Sequence, residues 1–309
     1  MNRFLHALGQ SKKNKKENKG DLMGILYVVA TPIGNLSDVS SRCLEILKSV
    51  DFIAVEDTRQ TIKLLNHYNI KKKMVAYHKF NEKSKSDEII EKVIKGDNVA
   101  LVSDAGTPCI SDPGYLLVKK ARENNIEVIG IPGPSATVLS LSISGLNTSK
   151  YSFIGFLPTT NKEFLDEIEK IQKSDINTFI IYESPKRIVK LVEKLVGYFP
   201  KSKIFIASDL TKLHERSFFG EIQYVYDIIK NDAKIEKGEY VLILEKEEKN
   251  FTEEKEEYSI EAMLINVILK EKCSLKEAVT ILNNKNKNLK KNDIYDASLN
   301  LKKIMKSIV

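Results

Sequence analysis

Cysteine is scarce: Cys43, Cys109 and Cys273 are too few and too scattered for a disulfide framework, and they form no C-x-x-C pair of the kind that holds zinc. The four histidines are dispersed as well, with no His-x-x-x-His pair among them. No apolar run approaches the roughly 20 residues that a bilayer-crossing helix needs, and the N-terminus lacks the apolar segment of a secretory signal. These absences exclude a disulfide-stapled secreted domain and a helical membrane protein, and they predict a cytoplasmic protein with no metal site. The common cofactor and nucleophile signatures are missing too. No G-x-G-x-x-G follows the first apolar run, neither G-x-x-x-x-G-K-[ST] nor G-x-S-x-G is present, and no Ser-His-Asp arrangement can be defended from spacing.

What is present is a chain of 309 residues, 42% hydrophobic and 29% charged, which suits a globular protein of two ordinary domains. Its charge is uneven. Six Lys/Arg against one Glu in residues 1–20, and ten Lys against five acids in residues 259–309, put +5 at each end, so the net +7 leaves −3 for the middle. A nearly neutral body with basic ends suggests an enzyme core with appended polyanion-binding segments.

Residues 1–22 read as a disordered basic tail ahead of Met23. Apolar runs at 25–30, 52–55, 74–77, 99–102 and 127–131 then alternate with amphipathic stretches at 39–50, 58–67 and 84–94. A further helix is predicted from Pro113 to about Arg122, with Asp112 as its N-cap. This alternation implies an α/β fold with a mainly parallel sheet covered on both faces. Pro132-Gly133-Pro134 interrupts it as a hinge, with Pro134 predicted to open a helix over Ser135–Ser144 that leaves the Ser135 and Ala136 amides at its start. The second half reads as strands at 151–156, 178–182, 203–207, 217–222 and 240–244, some joined too closely for a crossover helix, so its sheet should be mixed. Seven Glu and three Lys with one apolar residue, Phe251, make 245–257 a linker. Three short helical patterns follow, near 260–271, 275–283 and 293–305, and Ser274-Leu275-Lys276-Glu277 has the form of a capping box. They predict a small basic helical domain that serves as an RNA binder or as a lid or oligomerisation element. The expected organisation is a tail at 1–22, α/β domains at 23–132 and 133–246, a linker at 247–258 and a helical domain at 259–309.

Several strands end in loops dense in polar and turn residues: Thr31-Pro32-Ile33-Gly34-Asn35, Glu56-Asp57-Thr58-Arg59, Ser103 to Gly114, and Glu183-Ser184-Pro185-Lys186-Arg187. Carboxyl ends of strands line the ligand crevice in open α/β sheets, so their convergence predicts an active site between two domains. Without a metal motif or nucleophile, group transfer from a bound cofactor is the favoured chemistry.

Leu26-Tyr27-Val28-Val29-Ala30-Thr31-Pro32-Ile33-Gly34-Asn35-Leu36, Glu56-Asp57-Thr58-Arg59, Ser103 to Gly114 and Pro132-Gly133-Pro134-Ser135-Ala136 occur in this order. Phe153-Ile154-Gly155-Phe156-Leu157-Pro158 and Tyr182-Glu183-Ser184-Pro185 follow. Together they resemble the signatures of the RsmI family, 16S rRNA (cytidine-2′-O)-methyltransferases of the tetrapyrrole methylase superfamily. The resemblance spans about residues 24–245 and adds a C-terminal helical segment.

The resemblance implies two α/β domains of the class III methyltransferase type, with S-adenosylmethionine in the cleft between them, a homodimer, and as substrate a cytidine ribose in the decoding region of 16S rRNA, met as naked RNA or in the assembled small ribosomal subunit. On that basis Asp104, Ala105, Gly106 and Thr107 would lie along the cofactor with Pro32 at its edge. Ser135 and Ala136 would offer helix-start amides, and Tyr182 and Thr211 would come from the second domain. The family's Arg-Glu-Leu-Thr-Lys is replaced here by Ser208-Asp209-Leu210-Thr211-Lys212, which removes an arginine and shortens a carboxylate.

Methyl transfer to a ribose hydroxyl needs an aligned oxygen and a proton acceptor. Glu56, Asp57 and Arg59 are the catalytic candidates, the carboxylates as bases and Arg59, with Lys186 or Arg187, as phosphate holders; an internal salt bridge shaping the loop is the competing role for all three. A tetrapyrrole methylase would share the cleft without needing a basic helical domain. A non-enzymatic RNA-binding module would not need the cofactor.

Overall fold

Phe52–Val55 and Val99–Val102 carry no polar side chain, and they form the centre of the first sheet, buried at every position. The computed structural model describes residues 23–247, 259–285 and 289–308. The predicted tail, and the predicted linker beyond Glu247, lie outside the described residues.

Strands β1 (Ile25–Val29), β2 (Phe52–Val55), β3 (Lys73–Ala76), β4 (Val99–Val102) and β5 (Glu127–Ile131) pair in the order β3-β2-β4-β1-β5. Every pairing is parallel. The crossovers carry helices α1 (Ser41–Ser49), α2 (Thr58–His67), α3 (Glu82–Ile94) and α4 (Tyr115–Glu123). Successive strand residues serve opposite cores. Phe52, Ala54 and Leu101 pack with Ile89, Val93 and Leu117 on one side, while Ile53, Val55 and Val102 pack with Leu47 and Leu65 on the other. Coverage of both faces is why these strands are apolar throughout rather than alternating.

The second sheet contains β6 (Tyr151–Phe156), β7 (Thr178–Glu183), β8 (Lys203–Ser208), β9 (Arg216–Glu221) and β10 (Tyr240–Glu245), in the order β6-β7-β10-β8-β9. It is mixed: β6 and β7 are parallel and the other pairings antiparallel. Helices α6 (Asn161–Lys173), α7 (Ile188–Tyr198) and α8 (Ile222–Ile229) bury one face of it. The opposite face, through Ile180, Phe205, Val241 and Ile243, packs on Leu141 of α5 (Ala136–Ile143) and on Ile33 from the loop after β1. That apolar seam holds the two sheets together.

Two helix starts differ from the sequence expectation. Asp112 does not cap α4: the cap is Gly114, at φ 138°, whose amide donates to Glu82 Oε1 of α3 at 2.8 Å. The capping acceptor arrives from another helix, which local sequence does not reveal, and Asp112 is left facing a cavity. Likewise Pro134 is not the first residue of α5. Ser135 is the N-cap, its Oγ accepting from the Val138 amide, and the helix begins at Ala136.

The chain divides into compact units at Glu247/Glu248. The second comprises α9 (Ile260–Glu271), α10 (Leu275–Lys285) and α11 (Lys291–Ile308) around Leu264, Leu282, Ile294 and Leu301. The capping box forms: the Ser274 amide donates to Glu277 Oε2 at 2.8 Å, and the Glu277 amide donates to Ser274 Oγ at 3.4 Å. Among the described residues no helix is long and apolar enough to cross a membrane.

Candidate functional site

Parallel pairing delivers the loops after β1, β2, β4 and β5 to one edge, and there they are bonded to one another. Thr31 and Gly106 exchange backbone hydrogen bonds of 2.9 and 3.1 Å, joining the β1 and β4 loops. The Asp57 amide donates to Asp104 Oδ1 at 3.0 Å, joining β2 to β4. Thr107 Oγ1 donates to Pro134 O at 3.4 Å, joining β4 to the start of α5. Gly106, at φ 74°, adopts a backbone conformation that side chains oppose, and a Cβ there would press on Ile33 Cγ2.

These loops and the second sheet enclose a cavity of about 410 Å³, within the size range of small-molecule sites. Ile33, Ile110, Phe156, Leu210 and Val241 supply apolar walls, and Asp112, Tyr182 and Glu183 supply polar groups. Of the residues singled out in the sequence, Ala105, Gly106, Thr107, Ser135, Ala136 and Tyr182 line this space. Pro32 and Asp104 line a second recess of about 180 Å³ beside Thr31 and Ser103. Thr211 lines neither recess, whereas its neighbour Leu210 does. Thr211 sits at φ 66° with its Oγ1 buried and without a hydrogen-bond partner among the described residues.

Tyr182 is fixed from two sides. Its hydroxyl shares a 2.7 Å hydrogen bond with Thr137 Oγ1 in α5, and its ring stands edge-on to Phe153 and Phe156 at 5.0 and 5.9 Å. Burial raises its pKa. Glu183 is buried beside it, with Oε1 accepting from the Ser184 amide at 2.7 Å and Oε2 facing Arg187 at 3.1 Å.

The three catalytic candidates fall into different surroundings. Asp57 caps α2 through the Arg59 amide and pairs with the Arg59 guanidinium at 2.6 Å. Hydrogen bonds from Arg59 hold its carboxyl down to about 2, and the pair is an ion pair within the loop in which Glu56 takes no part. Arg59 itself is otherwise open to solvent. Glu56 is half-buried at the end of β2, and burial first, then the nearby Asp112 and Asp104 charges, push its carboxyl up to about 6. Asp104 and Asp112 are raised as well, in each case mainly by burial. Glu56 does not line the large cavity; Asp112 stands in its field and does. Among the described residues no group of His, Cys, Asp or Glu is arranged to hold a metal ion.

Where the sequence departs from the pattern of the family it resembles, Asp209 accepts from Lys212 Nζ at 2.8 Å, and Lys212 also bonds Glu239 at 3.0 Å. Asp209 lies against Gly238, where a Cβ would approach its carboxylate to 2.2 Å. Sequence reasoning did not select Gly238, Glu239, Tyr240 or Val241, although all line the cavity. Gly238 and Glu239 lead into the antiparallel strand β10, which Tyr240 and Val241 begin, so its N-terminal end reaches the site, and a rule based on strand carboxyl ends passes over it.

The two sheets and the cavity between their edges define the class: a two-sheet α/β protein with a small-molecule-sized space at the seam. The family described as Tetrapyrrole (Corrin/Porphyrin) Methylases matches residues 25–225. Ribosomal RNA small subunit methyltransferase I of Buchnera aphidicola subsp. Schizaphis graminum is 40% identical over 89% of this chain and 96% of its own length. Its counterpart in Haemophilus influenzae is 41% identical over 85% and 92%, and that in Escherichia coli O157:H7 is 38% identical over 89% and 95%. Among solved structures, diphthine synthase aligns with a TM-score of 0.54 at 14% identity, covering 72% of this chain and 89% of that one. Uroporphyrin-III C-methyl transferase from Thermus thermophilus, complexed with S-adenyl homocysteine, aligns with a TM-score of 0.50 at 14% identity over 72% and 97%. Likenesses this distant show the fold alone. The chain belongs to the tetrapyrrole methylase family and, within it, to the ribosomal RNA small subunit methyltransferase I group.

Proposed function

We propose that this protein transfers the methyl group of S-adenosylmethionine to the ribose 2′-oxygen of a cytidine in the decoding region of 16S rRNA. It would act in the cytoplasm, as a homodimer, on the assembled small subunit. The observation that carries this reading is the match to small-subunit rRNA methyltransferases over 89% of this chain.

The cavity suits the donor. Its apolar walls offer a slot for an adenosine, the Gly106 backbone allows close approach, and the Asp112 carboxylate complements a cationic ligand. When bound, the donor supplies an activated sulfonium methyl group. The protein's part is alignment and proton removal. Ala105, Gly106, Thr107, Ser135, Ala136 and Tyr182 would hold the donor, with Pro32 and Asp104 at its margin and Thr211 supporting the Leu210 wall. Glu56, poised near neutrality, is the group we assign as acceptor of the 2′-hydroxyl proton. Asp57 and Arg59 keep the Glu56 loop in place, and the exposed guanidinium of Arg59 is available to an RNA phosphate.

The test is methylation of unmodified small subunits by the purified protein with labelled S-adenosylmethionine, followed by mapping of the modified nucleotide. A 2′-O-methylcytidine in the decoding region is expected. Labelling of a porphyrinoid with no labelling of RNA would replace this reading with tetrapyrrole methylation.

A further inference from the structure

The turn that follows β3 presents an aromatic ring to solvent in a way that the fold does not need. Tyr77 is fully buried, and the chain then reverses through His78-Lys79-Phe80-Asn81, closed by the Asn81 amide donating to His78 O at 2.9 Å. Asn81 locks this turn twice more. Its Oδ1 accepts from the His78 amide at 2.8 Å, and its Nδ2 donates to Ala76 O at 3.1 Å. Lys79 and Phe80 therefore occupy the two central positions of a rigid turn, where small polar residues are usual. Phe80 is 95% exposed, touched edge-on by the His78 ring with centroids 6.1 Å apart.

A single exposed apolar residue is ordinary. This one has company and a location. Glu82, two residues after Phe80, accepts from the buried Tyr77 hydroxyl at 3.2 Å and from the Gly114 amide at 2.8 Å, which ties the turn to the loop whose Ile110, Ser111 and Asp112 line the large cavity. On that loop and just after it, Ile110 and Tyr115 are 59% and 69% exposed. Lys79 and Lys83 flank Phe80, both exposed, and neither is in an ion pair with a described residue. The result is a fixed aromatic face between two unneutralised cations, at the sheet edge that carries the site.

Aromatic rings interleaved with lysines are the means by which proteins hold unpaired RNA, the ring taking a splayed base and the cations the adjacent phosphates. We propose that this turn is a docking surface for single-stranded RNA at the rim of the site, with Phe80 stacking on a nucleobase near the target nucleotide and Lys79 and Lys83 contacting the phosphates beside it. The proposal rests on the rRNA-methylating reading above and adds to it the place where the substrate strand is gripped.

Phe80 is so exposed that its replacement leaves the fold intact, and because the chain has no tryptophan, Phe80→Trp installs a sole indole reporter. Phe80→Ala in the full chain is expected to raise KM for small subunits about tenfold, with kcat and the affinity for S-adenosylmethionine unchanged. Phe80→Trp is expected to keep the wild-type KM, and its emission should be quenched by a short single-stranded oligoribonucleotide but not by S-adenosylmethionine alone. An unchanged KM in Phe80→Ala overturns the proposal. So does a raised KM without quenching by the oligoribonucleotide, which would assign the turn to a ribosomal protein. A wild-type protein that methylates no small subunit overturns the functional reading instead, while the quenching experiment still decides the surface.

Discussion

Replacing Glu56 by Gln separates the cost of keeping that carboxylate from its use. The folded protein raises the group from an ordinary 4.5 to about 6. At 1.36 kcal/mol per unit this is about 2 kcal/mol, of which about 1 kcal/mol should survive solvent screening at a half-buried site. Because the folded value is raised, the protonated form is the favoured one. The stability it contributes is present in full below the unfolded value and is lost as pH rises through about 6. Glu56→Gln mimics the protonated form at every pH, so the variant should gain about 1 kcal/mol over the wild type at pH 8 and nothing at pH 4, read as melting temperature across that range. Catalysis should move the opposite way. Loss of the proton acceptor should lower kcat on small subunits by about a hundredfold or more. The wild-type rate should climb with pH through a midpoint near 6, and Asp112→Asn, which removes a repelling charge, should shift that midpoint downward. Glu56→Gln retaining kcat within about threefold, where general-base loss calls for far more, or an Asp112→Asn profile that does not move, would refute the assignment of Glu56 as the base.

A Cβ at Gly34 would stand 2.7 Å from Leu210 O and 2.8 Å from Thr211 Oγ1, so Gly34→Ala should force the two loops apart. We expect a loss of about 1–3 kcal/mol in denaturant unfolding, together with weaker S-adenosylmethionine binding by calorimetry. Tyr182→Phe leaves Thr137 Oγ1 without its 2.7 Å partner while the edge-on ring contacts remain. It should cost about 1–2 kcal/mol of stability, and Tyr182→Ala should in addition weaken donor binding. Ser274→Ala removes the hydroxyl that accepts from the Glu277 amide and donates to Glu277 Oε2, while the Ser274 amide keeps its bond to that carboxylate; it should cost the C-terminal helices about 1 kcal/mol, seen as faster amide exchange in α10 with no change in α1 to α8.

How much could be read in advance followed from how local each cause was. The strands at Phe52–Val55 and Val99–Val102 and the helix at Thr58–His67 have the predicted limits, because an apolar run or a capping Asp57 defines each within a few residues. The α4 start differs from the expectation because the acceptor for the amide of its cap, Gly114, is Glu82, more than thirty residues upstream. The site was legible as a set of loops: Thr31, Asp57, Asp104, Gly106 and Thr107 are linked by direct hydrogen bonds across those loops. Its far wall was not legible. Tyr240 and Val241 reach the cavity through antiparallel pairing of β10 with β7, with Gly238 and Glu239 just before them, and Leu210 does so through a turn holding Asp209 and Thr211 at positive φ. Neither signal belongs to a run, a period or a turn signature.

The central claim, that this chain modifies the ribose of small-subunit rRNA, is tested most directly in cells. The gene is deleted, ribose methylation is mapped across 16S rRNA, and the strain is complemented with the wild type or with Glu56→Gln. The account predicts one decoding-region cytidine that loses its 2′-O-methyl group on deletion, regains it with the wild type, and stays unmodified with Glu56→Gln. A 16S methylation map identical in the parent and deletion strains would contradict it.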